Sequence, residues 1–266
     1  MRTIKIQKNI CASVLLTSVV VALSGCQQKS TSVKTSHEQA LAATNTTIYV
    51  QASEGSYNHQ AVSLLSKEEG KSNIQYSFAG TPLNTFAEAA NANTEAFVAL
   101  RNDIIPGHFV AATIDAFKYY KPKAVTGGVN LPIEMCLLRT KASIDKGVPL
   151  KRIASHPAAL AQINHWKANK DLTELPLPEG TAAAARDVAN GTLSADTGAI
   201  GACMLDQLYP ALTVVERNIQ DSDNNHTFFG RLTVEKRPEV VSEAEAKQAL
   251  AKVVKQAKQQ TPVSLL

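Results

Sequence analysis

Aromatic residues make up only 5% of this chain, with a single tryptophan, and nowhere do they interleave a cluster of Lys and Arg. That removes the nucleic-acid surface which a formal charge of +4 would otherwise suggest. The surplus charge is also local. Arg2, Lys5 and Lys8 fall within the first 25 residues, where there is no acidic group, and the remainder holds 24 basic and 23 acidic residues. His and Cys nowhere take metal-ligand spacing, and the chain has neither a Gly-rich phosphate loop nor a G-x-S-x-G elbow. No metal and no nucleotide cofactor is therefore expected. Internal repeats are lacking too. The one long apolar run, Ile10 to Leu23, is too short for a lasting membrane span.

What that run does fit is a secretory signal. Arg2, Lys5 and Lys8 precede it, Ser13, Thr17 and Ser18 interrupt it, and Leu23-Ser24-Gly25-Cys26 follows as a lipoprotein cleavage site. Cys26 is then the lipidated first residue of the mature chain, anchored by acyl chains at about 0.8 kcal/mol per buried methylene. Gln27 after the cysteine favours the outer membrane in a Gram-negative cell, with the protein on the periplasmic face. Residues 26–46 are polar and aperiodic, a flexible tether. Cys136 and Cys203 remain, 67 residues apart in apolar runs. In an oxidising compartment they form a disulfide; buried free thiols are the alternative.

Beyond the tether, short β-rich runs alternate with amphipathic stretches. Strands are predicted at Thr47–Val50, Ile74–Phe78, Phe97–Leu100, Val129–Arg139, Leu150–Ala154, Gly198–Ala202, Leu212–Arg217 and Phe228–Val234. Helices are predicted at Asn58–Leu65, Leu83–Asn91, Val110–Tyr120, Pro157–Ala168 and Thr181–Ala189. Ser242-Glu243-Ala244-Glu245 reads as a capping box opening a last helix with Ala246, Leu250, Val253, Val254 and Ala257 on one face. This alternation predicts an α/β fold with a mostly parallel sheet.

Six blocks carry candidate chemistry. The first is Ala52-Ser53-Glu54-Gly55-Ser56-Tyr57-Asn58-His59-Gln60-Ala61, a glycine turn opening a helix, whose free N–H groups suit a carboxylate. Then come Arg101-Asn102-Asp103, Leu131-Pro132-Ile133 leading to Leu138, and Ser155-His156-Pro157 with Gln162. Gly180-Thr181-Ala182-Ala183-Ala184-Ala185 and Asn225-His226-Thr227-Phe228-Phe229 complete the set. His156 is either a general acid or a helix-start histidine bound to backbone.

In this order and spacing the blocks resemble the catalytic domain of prephenate dehydratases. The resemblance implies a two-lobed mixed-sheet domain, also like type II periplasmic binding proteins, over 47–236. Lobe one would comprise about 47–120 plus 205–236 and lobe two about 121–204, with 237–266 as a C-terminal helix and tail. It further implies conversion of prephenate to phenylpyruvate without a cofactor. Thr227 would protonate the departing hydroxyl, with Ser56, Asn58, Asn102, Ser155, Thr181 and Asn225 around a small carboxylate ligand. The family tends to dimerise, so a homodimer is expected. Only about 30 residues follow Val234, so the family's usual phenylalanine-sensing domain, and feedback inhibition with it, is not expected. Three positions depart from the pattern: Arg101 stands for Glu, Gly180 for Ser and Phe228 for Arg. With the envelope address, these departures support a second reading, a non-catalytic binding lipoprotein for a carboxylate or aromatic ligand.

Overall fold

The computed structural model describes residues 46–266. The signal, Cys26 and the tether up to residue 45 lie outside the described residues. The described residues form one unit with two sheets.

Lobe one is built first. Strand β1 (Thr46–Gln51) leads to helix α1 (Tyr57–Glu68), then β2 (Ile74–Gly80), α2 (Pro82–Asn91), β3 (Glu95–Asn102), α3 (Ala111–Tyr119) and β4 (Tyr120–Pro132). Ser56 caps α1 by accepting from the His59 N–H, and Thr81 caps α2 by accepting from that of Asn84, with Pro82 in the first turn where a missing N–H is harmless. The chain then crosses at Ile133 and Glu134 into lobe two: β5 (Met135–Thr140), α4 (Lys141–Asp145), β6 (Arg152–Ser155), α5 (Pro157–Leu160), α6 (Asn164–Lys167), β7 (Thr173–Pro176), α7 (Thr181–Ala189), β8 (Thr197–Ala202), α8 (Leu205–Leu208) and β9 (Leu212–Glu216). It returns to lobe one as β10 (His226–Lys236) and ends in α9 (Glu243–Gln259) and a short 3-10 turn, Val263–Leu265. The two crossing segments are bonded side by side, Ile133 N–H to the Asn225 carbonyl at 2.8 Å and Ile219 N–H to that of Met135 at 3.1 Å.

The first sheet has the order β2-β1-β3-β10-β4 and the second β7-β6-β8-β5-β9. In the first, β1 pairs parallel with β2 and β3 and the returning β10 is antiparallel to β3 and β4; in the second, β6 pairs parallel with β7 and β8 and the entering β5 is antiparallel to β8 and β9, so both sheets are mixed instead of mostly parallel. This moves the expected lobe boundaries. β4 pairs with β10 along nearly its whole length and so belongs to lobe one, while β9 pairs with β5 and so belongs to lobe two. Residues 237–266 hold the expected C-terminal helix, and it packs into lobe one. Ala246, Leu250, Val253, Val254 and Ala257 of α9 are buried in the same cluster as Phe117, Phe228 and Leu232. Leu250→Ala would cost about 2–5 kcal/mol on that packing. The capping box at Ser242 and Glu245 is formed.

Two further expectations change. The single strand predicted over 129–139 is two, since the crossing at 133–134 interrupts it. The helix predicted over 157–168 is two single turns. Ile163 between them is fully buried, and Asp221 reaches over to accept the Asn164 and His165 N–H groups that open the second turn. Cys136 and Cys203 are joined in a disulfide with a Cα separation of 5.1 Å, tying β5 to the turn after β8.

Candidate functional site

Between the lobes lies a cleft of about 610 Å³. Its floor is set by the pleat of β3 and β10. Along β10, Thr227 and Phe229 line the cleft, while Phe228 between them is buried among the residues packed under α9. On β3 the alternation is corrected by a bulge. Ala99 pairs with Phe229 but Arg101 pairs with Phe228, so Leu100 and Arg101 together oppose one residue. The extra residue returns Asn102 to the cleft face, opposite Thr227.

A directional chain of amides fixes the Thr227 hydroxyl. Gln162 Nε2 donates to the Ala158 carbonyl at 2.8 Å, so its Oε1 is free to accept from Asn225 Nδ2 at 2.7 Å. Asn225 Oδ1 then accepts from Asn102 Nδ2 at 2.8 Å, and the same nitrogen donates to Thr227 Oγ1 at 2.8 Å. The Ile104 N–H donates to Asn102 Oδ1, which confirms the orientation of that amide. Thr227 thus receives a hydrogen bond from behind, and its own hydrogen is left to point into the cleft. The chain also joins the lobes, since Gln162 belongs to lobe two and Asn102 and Thr227 to lobe one.

Three helix N-termini border the same space: α1 with Ser56 and Asn58, α2 with Thr81, and α7 with Gly180 and Thr181. Each offers unpaired N–H groups and the positive end of a dipole. Asn58 is 7% exposed and its Oδ1 has no partner. Thr181 is the first residue of α7 and does not cap it. Gly180 takes that position at φ 115°, a left-handed conformation that a serine would strain against, and it offers no side chain to the helix. The cleft lining includes no Lys or Arg among the described residues, and one carboxylate, Glu179.

Other groups hold the frame. The Tyr57 hydroxyl donates to the Glu134 carbonyl at 2.9 Å, pinning α1 to the crossing, and burial, with Glu134 nearby, pushes its pKa far above the ordinary phenol value. Burial lowers the His59 pKa, and its Nδ1 accepts from the Gly55 N–H at 3.0 Å, which fits a neutral ring. His156 lines the cleft with its Nδ1 accepting from the Ala158 N–H, the backbone-bound alternative of the two expected. Glu134, Cys136 and Cys203 lie close enough to suggest a metal set, but both sulfurs are committed to the disulfide.

Of the expected site residues, the cleft brings together Ser56, Asn58, Asn102, Thr181 and Thr227. Asn225 sits one layer behind, in the amide chain. Ser155 is fully buried and donates to the Ile200 carbonyl at 2.6 Å, so it braces the second sheet instead of facing ligand. The sequence reading gave no role to Gln162, Tyr57 or Glu179. Gln162 stood in a quoted block, but only the fold shows it reaching the other lobe. Arg231, three residues beyond Phe228 on β10, is buried in a two-pronged pair with Glu69, both bonds 2.7 Å, with Glu95 at 3.3 Å.

A two-lobed α/β domain with its polar groups converging from both lobes on a central cleft is the class that this fold and site define. The family model described as "Prephenate dehydratase" matches residues 48–237. The chain belongs to the prephenate dehydratase family. It is 37% identical over 109 residues to arogenate dehydratase 2 of Petunia hybrida, a match covering 40% of this chain and 25% of that protein. Among solved structures it is similar to a prephenate dehydratase from Arthrobacter aurescens in complex with L-Phe, at 22% identity and TM-score 0.58, covering 74% of this chain and 63% of that one. A structure described as GqqA, a novel type of quorum quenching acylase, matches at 21% identity and TM-score 0.52, covering 74% and 66%. The chain thus spans a quarter of the curated relative's length and just under two thirds of these structures, and at such identities the structures speak for the fold alone.

Proposed function

We propose that this protein is a prephenate dehydratase-like carbon–oxygen lyase that converts prephenate to phenylpyruvate. The observation that carries this reading is the Thr227 hydroxyl, oriented by Asn102 so that its hydrogen is presented to the cleft. In prephenate the bond from ring to carboxylate breaks and its electron pair enters the ring as carbon dioxide leaves. The ring carbon–oxygen bond breaks in turn, and the hydroxyl takes a proton and departs as water. The protein's part is to hold two carboxylates in one orientation and to supply a hydrogen bond to the departing oxygen. The N-termini of α1, α2 and α7 suit the carboxylates. One carboxylate, Glu179, and no Lys or Arg among the described lining residues suit a ligand that also carries an ammonium, so arogenate, named in the similar Petunia protein, is the second substrate to assay.

The test is to incubate the full chain in mild detergent with prephenate and follow phenylpyruvate by its absorbance in alkali. Production above the spontaneous rate, lost in Thr227→Ala, supports the lyase. A folded protein without turnover would sink it. The absence of Lys and Arg from the described lining favours one alternative, a non-catalytic binding protein for a small carboxylate or aromatic ligand. On that reading, such ligands raise the melting temperature without being consumed. We also propose that Cys26 carries lipid and holds the protein at the periplasmic face of the envelope; mass analysis of the mature N-terminus tests that, and an unmodified Cys26 would overturn it.

A further inference from the structure

We propose a second binding site on the opposite face of the first sheet, for a small organic carboxylate with an apolar body. This inference stands apart from the lyase reading. Arg101 of β3, Phe228 of β10 and Asn130 of β4 form one row across three neighbouring strands. They floor a pocket of about 380 Å³ beneath α9, bordered also by Asp103, Lys258 and Leu266. The Lys258 ammonium stands 5.7 Å from the centroid of the Phe228 ring. Arg101 reaches Asp103 at 3.3 Å through one terminal nitrogen, while its Nε is buried with no partner. Asp103 is shared with His226, whose Nδ1 is 3.9 Å from its other oxygen. Two permanent cations, Arg101 and Lys258, therefore border this pocket together with Asp103, which is already engaged, and the terminal residue Leu266.

The chemistry is complementary to an anion with a hydrophobic body. A guanidinium presents a planar fork of donors that matches a carboxylate, and the Asn130 amide adds a donor beside it. The Phe228 ring supplies a flat apolar floor. The main cleft has the opposite character, with no cation and one carboxylate in its described lining. An apolar monocarboxylate thus has a reason to choose the α9 face. Thr227 and Phe228 are consecutive, so the two ligands would lie back to back across one strand.

Titration calorimetry on the full chain in mild detergent tests this with phenylacetate, formate and chloride. Saturable phenylacetate binding is expected, retained in Thr227→Ala and weakened about tenfold or more by Arg101→Gln and by Lys258→Gln. Lys258 is exposed on α9, so its variant keeps the fold even if the Arg101 variant does not. Formate and chloride should bind far more weakly. Four results would each overturn the proposal: no phenylacetate binding up to about 10 mM, undiminished binding in the Lys258 variant, loss of binding in Thr227→Ala, or chloride binding as tightly as phenylacetate.

Discussion

Asn102→Asp reverses one hydrogen bond while keeping the shape of the side chain. In the native site Asn102 Nδ2 donates to both Thr227 Oγ1 and Asn225 Oδ1, each at 2.8 Å. A carboxylate oxygen in its place is an acceptor. It can satisfy Thr227 only by drawing that hydroxyl's hydrogen backward, away from the cleft, and it meets Asn225 Oδ1 as acceptor against acceptor. The first effect removes the donor from the departing oxygen, and a positioned donor of this kind contributes about 10²–10⁴-fold. The second leaves a buried acceptor unpaired, because Asn225 is 1% exposed, and this costs about 1–3 kcal/mol of stability. The assay is kcat for phenylpyruvate formation, with melting followed by circular dichroism. Expected is a loss of about a hundredfold or more in kcat at neutral pH, with KM nearly unchanged and a lower but cooperative melt. Acid should restore part of it. Burial and the facing acceptors raise the introduced carboxyl's pKa, and once protonated it donates again, so the ratio of variant to wild-type rate rises as pH falls. A variant with wild-type kcat at neutral pH would refute the directional chain.

Three further predictions concern the frame. Reducing Cys136–Cys203 opens a cross-link between residues 67 apart and should cost about 4 kcal/mol on loop-entropy grounds, read as a lower denaturant midpoint in reductant; an unchanged midpoint would refute it. Glu69 is partly desolvated, which alone would raise its pKa, but hydrogen bonds and charge from Arg231 and Lys71 outweigh that and lower it. Its folded pKa thus lies below the unfolded one, so its contribution is present above the ordinary Glu range and is lost as pH falls through the depressed value. Glu69→Gln should therefore flatten the loss of stability between about pH 5 and pH 3, and an unchanged acid limb would count against the pair. Ala52, on the rim of the cleft, is held at φ 67° by paired backbone hydrogen bonds with Gly80. Ala52→Gly relieves about 1–2 kcal/mol of left-handed strain and gives back about 0.5–1 kcal/mol in chain entropy, so the melting temperature should rise slightly; a fall would show that the strain is absent.

Most elements were legible because they are locally encoded. The capping box at Ser242, Pro157 in its first turn and the alanine-rich α7 are decided within a few residues. The misplacements share a physical cause, in that partners far away in sequence decided them. Residues 120–128 read as the end of a helix and then as no element, because the strand there exists by pairing with β10, about a hundred residues on. The turn at 161–163 breaks a helix that the local pattern permits, since Ile163 gains more from the core and Asp221 caps the restart. Of the site, residue types with one chemistry were visible, Thr227 and Asn102 above all. Gln162 was not, because its value lies in reaching Asn225 across the cleft, and Ser155 misled, because a buried hydroxyl can serve a neighbouring carbonyl as well as a ligand.

The departures from the family pattern look different once the pleat is known. Motifs are written along the chain, but consecutive strand residues face opposite ways. Arg101 and Phe228 are cross-strand partners on the α9 face, so their exchange alters the back of the sheet and leaves the cleft floor of Asn102, Thr227 and Phe229 intact. Gly180 loses a hydroxyl, yet its left-handed backbone opens α7 toward the cleft. The weight of recognition then falls on backbone. A ligand with two carboxylates brings two negative charges, and three helix N-termini supply roughly +0.5 each, about +1.5 in all. That nearly balances the ligand without a single basic side chain in the described lining. Because these partial charges are fixed by the fold, a single side-chain truncation in the cleft should weaken dianion binding only modestly. Disrupting a helix start should weaken it strongly: Gly180→Val, which strains the first turn of α7, should raise KM well beyond the effect of Thr181→Ala. The reverse order would mean that side chains, not helix ends, hold the ligand.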